Sequence, residues 1–155
     1  MDMPKPTDAH MRLQRIAGNW IGEEKIHPSP WDPHGGTAIG SVHNRVALDG
    51  FVVVQDYAHE RDGRVVFRGH GVFTWNEAEQ CYVLYWFDSM GVPPNIFKGH
   101  FENDVLTMTS KDLQGHSRVL FDFTRDGRYT YRMEVSQDGN QWYLFTEASY
   151  DKKES

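Results

Sequence analysis

Residues 42–57, VHNRVALDGFVVVQDY, decide the fold. Apolar and polar residues interchange on both sides of Asp49-Gly50, and an Asp-Gly pair suits the positive φ angles that a two-residue hairpin turn needs at both central positions. The same dipeptide recurs at Asp62-Gly63, Asp126-Gly127 and Asp138-Gly139. From Gly18 onward the period stays at two, which predicts strands over 19–26, 37–48, 51–61, 64–75, 81–87, 96–102, 105–111, 116–124, 128–136 and 141–150. Strands joined by tight turns form a meander, and about ten of them close because a flat sheet leaves long unpaired edges. The expected fold is therefore all-β, an antiparallel up-and-down β-barrel.

Only the start of the chain departs from this pattern. Thr7 or Asp8 can cap a short helix to about Ala17, with Met11, Leu13 and Ile16 on its apolar side and Gly18 as its stop. A helix placed there reads as a plug or lid. The division expected is a flexible stretch over 1–7, one barrel domain over 8–150 and a flexible tail over 151–155. The length of 155 residues suits a single core.

Composition narrows the function classes. The net charge of −6 leaves no clustered Lys and Arg surface for phosphates, so no nucleic-acid partner is expected. Aromatics reach 14%, as for large rings lining a shared interior. The lone Cys81 reads as a buried thiol in a reducing compartment, and residues 1–6 lack a leader's charged and apolar segments. No apolar run has spanning length, so a cytoplasmic location without a membrane partner is expected.

The turns also imply registers. With two-residue loops, Asn44, Gln55 and His70 share one face, flanked by Val42, Tyr57 and Arg68 and by Val46, Val53 and Val72. The three valines and Leu48-Phe51 favour this face as the interior, although solvent-facing polar pairs are the alternative. At the other end Phe121, Arg132 and Phe145 form one row, with Phe123, Thr130 and Glu147 beside it. A guanidinium between phenylalanines must pair with Glu147 or with an anionic ligand if it is buried; otherwise the pair is an exposed salt bridge.

Gly18-Asn19-Trp20-Ile21-Gly22-Glu23 resembles the Gly-x-Trp opening of calycin-like barrels such as lipocalins and nitrobindins. Glu24-Lys25-Ile26-His27-Pro28-Ser29-Pro30-Trp31-Asp32-Pro33, Ala47-Leu48-Asp49-Gly50-Phe51, Gln55-Asp56-Tyr57, Phe67-Arg68-Gly69-His70-Gly71 and Trp86-Phe87-Asp88-Ser89-Met90-Gly91 are similar to domain-of-unknown-function family 1579, over about 16–150. The resemblance implies a calycin-like barrel and assigns no activity. The wider fold group includes binders of fatty acids, haem or pigments and a few cofactor-free enzymes, an argument by analogy alone. Nitrobindin-like barrels hold haem iron through a histidine near the C-terminal end, and 141–150 contains none.

The eight histidines, His10, His27, His34, His43, His59, His70, His100 and His116, lie on separate elements without metal-ligand spacing. No metal and no cofactor are predicted; a site built from His27 and His34 is the alternative. One register after Trp75 places Trp86 and Asp88 on the His70 face, giving a carboxylate–imidazole pair that can move a proton or simply hydrogen-bond. Gly69 and Gly71 mark a strand where a ligand or another backbone approaches closely. The loops at 27–36 and 88–95, stiffened by proline, read as rims of a barrel mouth, with His27 and Trp31 on the first.

The function expected is binding of a partly apolar small molecule with an anionic or hydrogen-bonding group. Its anchors are Asn44, Gln55, Tyr57, Arg68, His70, Trp86, Asp88, Phe121, Arg132, Phe145 and Glu147. The alternative is a cofactor-independent enzyme using His70 with Asp88 or Glu147. A haem or metal protein ranks lower, and an open seam between first and last strands would favour a homodimer.

Overall fold

The computed structural model describes residues 2–30 and 32–154. Ten strands follow one short helix: β1 Gly18–Ile26, β2 Gly36–Ala47, β3 Val52–Arg61, β4 Arg64–Asn76, β5 Cys81–Asp88, β6 Asn95–Glu102, β7 Val105–Asp112, β8 Gly115–Asp122, β9 Arg128–Ser136 and β10 Tyr143–Lys153. Each pairs antiparallel with its sequence neighbours, and β10 pairs with β1, so the sheet closes without a free edge. The last strand runs three residues past 150, with Asp151, Lys152 and Lys153 opposite Ile21, Trp20 and Asn19.

The helix α1 spans Asp8–Leu13 and continues as a 3-10 turn over Gln14–Ile16. It closes one end of the barrel by burying Leu13 and Ile16 against Trp20, Val42 and Val53. Polar ties hold it there. The Tyr82 hydroxyl donates to the Ala9 carbonyl at 2.8 Å, and the Asn44 amide and the Trp20 indole both donate to the Ile16 carbonyl. Arg15 pairs with Asp104 and donates to the Phe123 carbonyl in the turns beneath. No helix among the described residues is long and apolar enough to cross a membrane.

Three registers differ from simple two-residue hairpins, and the differences move candidate residues. Asn44 lies opposite Gln55 as the first Asp-Gly turn implies. Asp62 and Gly63 both adopt positive φ in the second turn, and Arg61 pairs with Arg64. A bulge then places Val66 as an extra residue between Glu60 and His59, so His70 pairs with Asp56 instead of Gln55. One residue of slip sends every later side chain of β4 to the opposite face. His70 therefore points outward, and Gly69, Gly71 and Phe73 point in.

At the C-terminal end the turns are longer. Asp122 accepts hydrogen bonds from Thr124, and Asp138 accepts from the backbone of Asn140 and Gln141, so the chain wraps around each carboxylate before returning. A bulge at Phe145 adds a further shift. Arg132 accordingly faces Leu120 and Glu147 on the outside, while Phe121 pairs with Tyr131 on the inside.

Candidate functional site

Alternation along β1 carries Trp20, Gly22, Glu24 and Ile26 into the barrel. Glu24 is 1% exposed. An isolated carboxylate in such surroundings costs several kcal/mol, so its partners must supply the compensation. Tyr57 donates to it at 2.7 Å, His59 through Nδ1 at 2.7 Å, and Tyr150 through its hydroxyl. Space for the carboxylate comes from Gly40: a Cβ there would lie 2.4 Å from Glu24 Oε2 and 2.9 Å from the Tyr150 ring.

The network continues to the open end of the barrel. Arg61 Nε donates to His59 Nε2 at 3.1 Å, and its Nη2 donates to Asp32 Oδ2 at 2.8 Å. Because Nε2 accepts from Arg61, the His59 proton sits on Nδ1 and points at Glu24. A chain of contacts thus links the buried carboxylate to the 27–35 loop. Burial holds the phenols of Tyr57, Tyr131 and Tyr150 well above the ordinary tyrosine range, and Glu24 adds to each. Burial also raises Tyr129, with Tyr131 and Glu24 contributing. All four stay O–H donors near neutral pH.

Above this cluster lies a cavity of about 700 Å³. Leu84, Phe97, Val119, Phe121 and Met133 form its apolar wall, and Gln55, Tyr57, His59, Tyr131 and Asp88 add polar groups. Asp32, Met90 and Asn95 stand at the mouth, so the 27–35 and 89–94 loops border the same opening. The Trp86 ring lies flush against β4: a Cβ at Gly69 would come within 2.1 Å of it, and one at Gly71 within 3.2 Å. Its indole N–H donates to Asp88 Oδ2 at 3.1 Å. The close approach at these glycines is thus by a tryptophan of the neighbouring strand.

The residues singled out from the sequence divide between the two faces. Gln55, Tyr57, Trp86, Asp88, Phe121 and Phe145 line the cavity. Asn44 points inward below it, accepting from Gln55 at 2.9 Å and donating to the helix plug. Arg68, His70 and Arg132 lie exposed on the outer face, as the shifted registers require. His70 pairs with Asp56 at 2.7 Å in solvent, while Asp88 sits opposite Gly69, so the expected His70–Asp88 couple does not form. Glu147 is also outside, 3.6 Å from His27, and Asp32 takes the rim position expected of His27. Trp31 lies outside the described residues.

Sequence reasoning missed Glu24, His59, Arg61 and the tyrosines of β9 and β10. Alternation from Trp20 does place Glu24 inward, but the surrounding Glu23-Glu24-Lys25 reads as a solvated run. His59 is the only cavity-lining histidine among the described residues, and both its ring nitrogens are engaged. No three His, Cys, Asp or Glu side chains converge into a metal-binding group among the described residues.

Fold and site together define a closed ten-stranded antiparallel barrel, plugged by a helix at one end and hollow at the other. The chain belongs to the family described as protein of unknown function DUF1579, which matches it over residues 5–152. Among solved structures, the crystal structure of Rv2717c from M. tuberculosis is similar at 12% identity and a TM-score of 0.74, covering 96% of this chain and 99% of that one. The S-type phycobiliprotein lyase CPES from Guillardia theta is similar at 9% identity and a TM-score of 0.62, covering 95% and 93%. At such identities the likeness is one of fold. No curated protein matches the chain.

Proposed function

We propose that the barrel binds a small, largely apolar molecule carrying a neutral hydrogen-bond acceptor. The observation that carries this is the hollow upper half: about 700 Å³ falls within the roughly 300–1,000 Å³ of small-molecule sites, and apolar side chains dominate its walls. The likeness to a barrel named as a phycobiliprotein lyase is in keeping with ligand binding.

The polar groups select the acceptor. Tyr131 reaches the cavity as a protonated phenol, a donor suited to a carbonyl. An anionic head group is disfavoured on electrostatic grounds. Glu24, Asp32 and Asp88 lie at or beside the cavity, Arg61 is already paired with Asp32, and Arg132 faces solvent. The ligand is therefore expected to carry no negative charge.

The test uses prodan, a neutral fluorescent aryl ketone, beside the anionic naphthalene dye ANS. Saturable, blue-shifted prodan emission is expected, with ANS bound at least tenfold more weakly and Tyr131→Phe weakening prodan several-fold, as for loss of one hydrogen bond. Absence of saturable prodan binding, or equal affinity for ANS, would refute the reading.

A further inference from the structure

Single exposed apolar side chains are ordinary on protein surfaces. Those at the open end of this barrel are less ordinary in their placement. Val66 stands beside the Asp62-Gly63 turn, Met90 and Val92 on the 89–94 loop, Leu113 at the tip of the β7–β8 turn, and Tyr143 at the start of β10. Leu113 is fully exposed and Met90 is 71% exposed. A hairpin tip favours Gly, Asn or Asp, so leucine there has no structural reason. By the up-and-down strand order the connections carrying these side chains lie at the same end as the mouth, and Val66 and Met90 also line the cavity. The apolar ring is thus continuous with the apolar wall behind it.

We propose that this open end docks on a zwitterionic lipid surface, with the ring inserted at the edge of the hydrocarbon and the cavity mouth facing it. The tips come from four separate loops around an opening. A rigid partner would have to match each of them in relief, whereas fluid acyl chains accept all at once. The charges beside the tips pair off at Asp62 with Arg64 and Lys111 with Asp112 and are otherwise acidic, with Asp88 and Asp138, so the loops carry no basic excess to favour an anionic membrane. Docked this way, an apolar ligand passes between bilayer and barrel without crossing water. The absence of a membrane-spanning stretch does not bear on loop tips. The inference goes beyond ligand binding in solution and rests on the ring alone.

Flotation with phosphatidylcholine vesicles tests it. The wild-type chain is expected to partition onto the vesicles, and Val92→Asp/Leu113→Asp, which alters two exposed side chains outside the cavity wall, to lower the partition coefficient at least tenfold. Prodan binding in lipid-free buffer should be the same in both proteins, so failure of the ring and failure of the cavity give separate signals. No partition of the wild type, or equal partition of the variant, overturns the proposal. So does a lipid-free dimer in sedimentation velocity that the same two substitutions dissolve, since the ring then belongs to a second copy.

Discussion

Tyr57, Tyr129, Tyr131 and Tyr150 crowd around one carboxylate, and their ionisation is coupled to the integrity of the fold. Each phenol is held above its ordinary pKa, first by burial. Above about pH 10 the unfolded chain releases these protons while the folded chain keeps them, so the unfolded state binds fewer protons and stability falls as pH rises. The loss amounts to about 1.4 kcal/mol per pH unit for each phenol, and the full contribution is present below pH 10. Denaturant midpoints between about pH 8 and 11 are expected to drop steeply at the top of that range, with tyrosinate absorbance of these four appearing only as the chain unfolds. Ionisation of all seven tyrosines near pH 10 in a protein that stays folded would show that the cluster is open to water.

Strands and turns were legible because Asp-Gly pairs and period-two alternation are local signals, and the β2–β3 register follows from them directly. Bulges are another matter. Val65-Val66-Phe67 reads as uninterrupted strand, and nothing local marks Val66 as the extra residue; the shift is set by packing, because only with Gly69 and Gly71 inward can the Trp86 ring lie against β4. Arg132 is likewise displaced, off the Phe121 row by the longer turn that wraps Asp122 and off Phe145 by the turn that wraps Asp138 and the bulge at Phe145. Gln55 and Tyr57 on β3 and Trp86, Asp88, Phe121 and Phe145 further along do line the cavity, whereas Arg68, His70 and Arg132, whose facing depends on a shifted register, do not. A double-mutant cycle tests the packing account. Gly69→Ala should cost about 1–3 kcal/mol through overpacking against the ring. In a Trp86→Leu background the cost should shrink, giving a coupling of about 1 kcal/mol or more in denaturant unfolding. Additive effects would mean that Trp86 does not set the register.

At the scale of the whole barrel the two ends are packed differently. The lower half is packed around Leu13, Trp20, Phe73 and Leu106 and sealed by the helix, whereas the upper half keeps its hydrophobic walls apart. Empty apolar volume forfeits dispersion contacts and lowers stability relative to a filled interior. Val119, inward on β8 and 3% exposed, is where that trade can be measured. In a solid core Val119→Phe would overpack and destabilise by about 1–3 kcal/mol. In this cavity the larger side chain gains contacts, and stabilisation of about 0.5–2 kcal/mol is expected, together with at least tenfold weaker prodan binding. The sign of the stability change decides between the two architectures without knowledge of the natural ligand.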